Sequence, residues 1–294
     1  MKRFAAGMLW LLPLLILLGL FTVWPALRTV DMSFYTRYNY FRDLVFERGL
    51  DNYAYLWNDP EFWRSLDNTF FYTAWTLPLS VGIGLALALA LNAIGPFKRL
   101  FQTIYFLPFV TSTVAIALVW NWIFHLDHGL LNAMLQGVGL DPIPWLRDPR
   151  WARVSLVILG VWKSAGYNVL IFLTGLQTID AQYNRSAAVD GAGFWRRTFF
   201  ITLPLLSPTL FFVCVISAIN CFKVFDLPFI LFRSTPGPSN CGMTLVYYIY
   251  EKFYNQHHYG IASAAVLLLF GFITLFNLIQ FRLARRVIHY GRGK

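Results

Sequence analysis

Polarity along the chain divides it into long apolar runs and shorter polar connections. Six runs stand out: Phe4–Val23, Thr69–Leu91, Ile104–Phe124, Val154–Leu176, Leu205–Phe232 and Ile261–Phe281. Each matches or exceeds the ~20 residues that cross the hydrocarbon of a bilayer. Backbone N–H and C=O groups in hydrocarbon must pair within their own segment, so each run is expected to be a helix. The pattern predicts an all-α integral membrane protein with six transmembrane helices, built as a single transmembrane domain over residues 1–294.

The connections differ in character. Residues 24–68 form a long polar loop. Residues 125–153 read as a small amphipathic helix followed by a Pro-rich turn, and 233–260 as a loop broken by Pro236, Gly237 and Pro238. Between the second and third runs lies only the tight link "NAIGPFKRL". The connection over residues 180–204 is more elaborate. Asp180 is placed to cap a short helix beginning at Ala181. Ile179, Tyr183, Ala187 and Gly191 recur every four residues as one stripe of it. Gly191 and Gly193 permit a positive φ, and a second helical run over Phe194–Thr202 ends before Pro204. Pro204 and Pro208 suit the first turn of the next span, where a missing N–H costs little. Helix, glycine corner, helix is the predicted shape. Periodicity alone also fits an amphipathic loop resting on headgroups.

Composition supports the membrane reading: 57% of residues are hydrophobic and only 13% charged, against about a quarter charged in ordinary soluble domains. The start "MKRFAAGMLWLLPLLILLGLF" imitates a secretory signal, but its apolar run is too long and no small-x-small cleavage site follows, so a retained first span is expected. Cys214 and Cys221 share a predicted helix and Cys241 a loop, giving neither a disulfide framework nor a metal-ligand spacing.

The net charge of +10 has a location. With the first end inside, the inner segments hold twelve Lys and Arg against Asp180 and Asp190, while the outer segments balance ten bases with eleven acids. Lys98, Arg99 and the C-terminal cluster (Arg282, Arg285, Arg286, Arg292, Lys294) lie against span ends, where they orient the chain. Both termini are therefore expected in the cytoplasm. The basic surplus faces anionic lipid, and no nucleic acid is implied.

Residues 185–204 resemble the EAA loop of permease subunits in ATP-binding-cassette (ABC) importers. That motif reads Glu-Ala-Ala, three residues, Gly, nine residues, then Ile-x-Leu-Pro. Here Arg185-Ser186-Ala187 is followed by three residues and Gly191, and nine residues later by Ile201-Thr202-Leu203-Pro204. "DGA" at Asp190–Ala192 is typical of the carbohydrate-importing branch. "FQTIYFLPFVTSTVAIALVWNWIF" and "VWKSAGYNVLIFLTGLQTID" look like the third and fourth spans of maltose-type and glycerol-3-phosphate-type permeases. The motif's Glu is Arg185 and its first Ala is Ser186, so any acidic contact made by relatives is not carried over.

The resemblance implies that 180–204 is a cytoplasmic coupling helix seated in a cleft on an ATPase, with Arg185, Ser186, Ala187, Asp190, Gly191, Ala192 and Phe194 at the contact. Phe194 is a greasy anchor for that socket or is buried against the chain's own inner span ends. Implied partners are a second homologous permease subunit, two ABC ATPase subunits and an extracytoplasmic solute-binding protein, in a bacterial or archaeal plasma membrane. No cofactor is expected on this chain, since ATP and Mg belong to the ATPases. In keeping with that, no G-x-x-x-x-G-K-[ST] phosphate loop, G-x-S-x-G elbow or His-x-x-x-His pair occurs, and the chain is not expected to be an enzyme. His257 and His258 read as a solvated loop face.

Ionisable groups within spans usually face a bundle interior or a watery cavity. Lys163 sits mid-span with Tyr167 and Asn168 close by. Ser217, Asn220, Lys223 and Asp226 follow at threes in the fifth run. With Trp120, Trp122 or Tyr167 for stacking, these are the expected path of a sugar or polyol derivative. Alternatively Lys163 locks the bundle on a neighbouring carbonyl or carboxylate, and Lys223 pairs with Asp226 on one helix. An ion-coupled secondary transporter is the competing reading, although internal repeats of the kind common in that class are not evident.

Overall fold

The computed structural model describes residues 2–39, 42–93 and 98–287. Residues 94–97 of the tight link lie outside the described residues. So do 288–294, with Arg292 and Lys294 of the basic cluster.

Helix α1 (Lys2–Leu18) passes through a wide π-helical turn (Gly19–Val23) into α2 (Trp24–Met32). An antiparallel hairpin follows, β1 (Tyr35–Asn39) against β2 (Leu44–Arg48), then α3 (Asp51–Asn58). Next come α4 (Pro60–Ala93), α5 (Lys98–Val110), α6 (Thr113–Ile123), α7 (Leu130–Gly137) and α8 (Pro149–Gln177). Helix α9 (Ala181–Val189) precedes α10 (Phe194–Arg197), which continues through a second π turn (Thr198–Thr202) into α11 (Leu203–Phe222). The chain ends with α12 (Asp226–Leu231), α13 (Leu245–Tyr250), a third π turn (Glu251–Asn255) and α14 (Tyr259–Val287).

Among the described residues, five helical stretches are long and apolar enough to span a membrane: Trp10–Met32, Pro60–Ala93, Pro149–Gln177, Phe194–Phe222 and Tyr259–Arg285. A sixth exists only as a broken pair, Leu100–Val110 and Thr113–Ile123, bent by 96°. The expected straight third span is thus two helices. At the break Ser112 adopts an extended ψ of 128°, and the Thr111 hydroxyl donates to the Leu107 carbonyl at 2.7 Å. The fifth run also departs from expectation, because its helix stops at Phe222 and restarts at Asp226. The 24–68 loop contains α2, α3, the first turns of α4 and a hairpin, so the chain is mostly rather than wholly helical.

Two of the π turns have a common cause. Pro25 and Pro204 each stand two residues beyond one. A proline inside a helix lacks an N–H and its ring clashes with the carbonyl four residues back. An extra residue in the preceding turn relieves both. This keeps Phe194–Phe222 continuous where the sequence suggested a short helix ending before Pro204.

The chain divides into two compact units, residues 1–63 with 245–271, and residues 64–244 with 272–294. In the first, Asn52 ties the hairpin by donating to the Ser33 and Tyr35 carbonyls at 2.8 and 3.0 Å. There Lys252 is buried beside Asp59, 3.2 Å away. In the second, α8 is the central helix. Asp148 accepts from the N–H groups of Arg150 and Trp151 at its start, with Pro149 as first residue. Its apolar face packs on one cluster around Tyr72, Phe124 and Trp145 and another around Val81, Phe172 and Leu206. A side chain at Gly166 would collide with the Tyr105 carbonyl, so glycine there lets α5 lie directly on α8.

Candidate transport site

The break between α11 and α12 and the bend between α5 and α6 both face α8, and together they open a polar cavity of about 360 Å³ inside apolar helices. Lys163, Tyr167, Asn168, Asn220, Lys223 and Asp226 all line it, as does Ser217. Seven sequence-predicted path residues therefore converge on one space. Trp120 does not: it borders a separate apolar cleft and packs edge-on against Trp162, centroids 5.4 Å apart. Trp122 is exposed.

Lys163 donates to the Thr113 hydroxyl, at the first residue of α6. Asn168 is 1% exposed; its carbonyl oxygen accepts from Ser217 at 3.3 Å, while its amide nitrogen has no partner among the described residues. Tyr167 stacks on Phe109, centroids 4.8 Å apart. Lys223 caps α11 and Asp226 opens α12, so the two do not share a helix and form no ion pair among the described residues. Thr113 and Phe109 were missed by sequence reasoning. They reach the cavity only because the third run bends just between them, and apolarity carries no mark of a bend.

The 180–204 connection has the predicted outline. Asp180 caps α9 by accepting from Gln182 N–H at 2.8 Å. At the other end Gly191 has φ +70°, and the Ala192 and Gly191 N–H groups bond to the carbonyls of Ala187 and Ala188 at 2.9 and 3.1 Å. This is a Schellman closure with glycine in its left-handed position. Gly193, expected to share the positive φ, is instead extended at φ −68°, ψ 169°, and starts α10. Ala187 is buried, whereas Arg185, Ser186 and Asp190 are exposed and Val189 is 88% exposed. Ala192 is half-buried. Phe194 is 49% exposed and shares a cavity of about 140 Å³ with Leu89, Leu176 and Ile179 from neighbouring helix ends.

Residues 80–289 match the family described as "binding-protein-dependent transport system inner membrane component". The lactose transport system permease protein LacF of Rhizobium radiobacter is 35% identical over 288 residues, covering 95% of this chain and 94% of that one. A bacterial ABC transporter that imports the acidic polysaccharide alginate aligns with TM-score 0.85 and 26% identity over 98% of both chains. A second structure, of a bacterial alginate ABC transporter in complex with an alginate-pentasaccharide-bound periplasmic protein, aligns with TM-score 0.83 and 26% identity, over 99% of this chain and 97% of that one.

Proposed function

This chain belongs to the family of binding-protein-dependent transport system inner membrane components, and from that premise we propose that its polar cavity is the passage for a sugar or polyol derivative. The protein is a permease subunit of a binding-protein-dependent ABC importer. Its carbohydrate cargo is supported by the likeness to the lactose permease over nearly the whole chain. The observation that carries the passage is the convergence of Lys163, Tyr167, Asn168, Asn220, Lys223 and Asp226 on one cavity within apolar helices. Trp120 contributes by bracing the adjoining wall against Trp162.

In this reading residues 180–204 lie in the cytoplasm, both termini are on that side, and α9 seats in a cleft on an ATPase subunit. A short helix capped at Asp180 and closed at Gly191 transmits displacement as a body, where a floppy loop would absorb it. Ala187, buried within the chain, lets α9 lie close on its own helices, Ala192 keeps the partner's approach close, Arg185, Ser186 and Asp190 present polar contacts, and Phe194 lends an apolar edge. A second related permease completes the path and a loaded solute-binding protein docks outside. ATP and Mg act on two ATPase subunits, whose closure moves the paired bundles from inward-open to outward-open. The cavity then receives the solute and releases it inward.

Co-purification of the importer followed by an ATPase assay tests this. Hydrolysis stimulated by a loaded binding protein is expected. Gly191→Val forces a β-branched residue into the left-handed region, at a cost of about 1–2 kcal/mol, and should uncouple hydrolysis from uptake while the complex still assembles. Normal uptake in that variant rules out the coupling role.

A further inference from the structure

The start of the fifth span leaves one helix face uncovered. Trp195, Arg196, Phe199 and Phe200 are all exposed, Trp195 at 69%, Phe199 at 57% and Phe200 at 77%. A residue, the next one and the two a turn further on share one side of a helix. The other side is occupied by the chain itself. Phe194, Arg197 and Thr198 line the small cavity shared with Leu89, Leu176 and Ile179, and the buried Thr198 hydroxyl donates to the Phe194 carbonyl at 2.9 Å. On the exposed side the rings touch: Trp195 lies edge-on to Phe194 with centroids 5.3 Å apart and stacks on Phe199 at 6.1 Å. Arg196 stands beside them with no ion pair and no ring beneath its guanidinium among the described residues.

Position and charge together name what covers this face. Phe194–Phe222 is one continuous stretch long and apolar enough to span a membrane, and the face occupies its first turns, where the helix leaves the bilayer. Four residues separate Trp195 and Arg196 from Phe199 and Phe200, a rise of about 6 Å, close to the depth of one headgroup layer. The order along the helix suits that step. An indole favours the interface, a guanidinium reaches to headgroup level from an apolar stem, and phenyl rings belong among acyl chains. Over residues 180–204, Arg185, Arg196 and Arg197 stand against Asp180 and Asp190, and Asp180 is engaged in capping α9. From this we infer that the face binds an anionic phospholipid of the cytoplasmic leaflet. Its phosphodiester meets the Arg196 guanidinium, which presents paired donors to two phosphate oxygens, and an acyl chain lies over Phe199 and Phe200. A zwitterionic lipid neutralises its phosphate with its own ammonium and offers Arg196 less. The bound lipid holds α10 at a fixed depth while α9 moves about the glycine corner, so the coupling connection has one anchored end. The choice of leaflet and this anchoring role rest on the permease reading above, whereas the lipid contact rests on the span alone.

The test titrates the detergent-purified importer complex with dioleoyl phosphatidylglycerol or dioleoyl phosphatidylcholine and reads thermal stabilisation. The anionic lipid should act at about tenfold lower concentration, the worth of one charge-assisted contact, and the advantage should shrink at high salt. Arg196→Gln should remove most of that advantage, and the charge-keeping Arg196→Lys should retain part of it. Equal action of the two lipids on the unaltered complex, or an undiminished advantage in Arg196→Gln, overturns the inference. A separate measurement places the site. With the photoreactive substitution Phe200→p-benzoylphenylalanine in nanodiscs holding both lipids in equal parts, illumination should yield lipid adducts on this chain, phosphatidylglycerol ahead of phosphatidylcholine. Adducts to an ATPase subunit or to the second permease instead, or lipid adducts without that preference, overturn it. A purified particle that lacks ATPase subunits overturns the permease reading and leaves the lipid contact standing. The comparison of the two lipids on the unaltered complex decides even where a variant fails to assemble.

Discussion

Lys252 shows how much a single residue hides from a sequence. Spacing places it among the charges of a connecting loop, yet its side chain is only 4% exposed, 3.2 Å from Asp59 and 3.7 Å from Glu61. Tyr248 donates to the same Asp59 carboxylate at 2.7 Å, and the ammonium lies 5.3 and 5.0 Å from the centroids of the Tyr55 and Tyr248 rings. Burial acts to raise the Asp59 carboxyl, but the hydrogen bonds from Tyr248 and the Glu61 N–H and the charge of Lys252 outweigh it and hold it low. Burial likewise acts to lower Lys252, and the Tyr55 hydroxyl and Asp59 hold it high. The signs define a window. A lowered carboxyl contributes stability above its ordinary value of 3.8 that is lost as pH falls through the lowered one. A raised amine contributes stability below its ordinary 10.5 that is lost as pH climbs through the raised one. Thermal stability should therefore be flat in this contribution between those limits and fall on either side. Lys252→Met removes one partner of a buried pair and should cost about 3 kcal/mol, seen as a lower melting temperature, with Asp59 no longer held low by that charge. The pair was illegible beforehand because its members come from distant parts of the chain.

Among the elements, local chemistry was read well and breaks were read poorly. Asp180 and Gly191 announced both ends of α9, because capping and a left-handed turn are decided within a few residues. The bend at Thr111–Ser112 and the stop at Phe222 were not read, since each run is apolar as a whole and hydropathy counts residues without direction. Pro204 was read as a boundary, whereas the π turn before it carries the helix through. The closeness of α5 and α8 yields a further prediction at this scale. Gly166→Val would drive a branched side chain into the Tyr105 carbonyl. Overpacking of that kind costs about 1–3 kcal/mol, and separating the two helices also moves Phe109 off Tyr167. The variant complex should melt earlier and take up its sugar more slowly; unchanged melting would show that α5 gives way without cost.

For the molecule as a whole, the decisive expectation concerns dependence on partners. This chain reconstituted alone should take up no sugar under a proton or sodium gradient, and uptake should appear only with ATP and the complete importer. Gradient-driven uptake by the lone chain would point to a secondary transporter. What the sequence determined by itself is the membrane-spanning class, most of the spans and the shape of the 180–204 connection, because runs of apolar residues, caps and glycine corners are local properties. It also named most of the cavity's polar groups, since a polar residue inside an apolar run is conspicuous anywhere. Tertiary structure alone decided that these groups share one space and that Trp120 lies elsewhere. Those facts depend on where the chain bends and which helices α8 gathers, and contacts between residues far apart in the chain leave no periodicity to read.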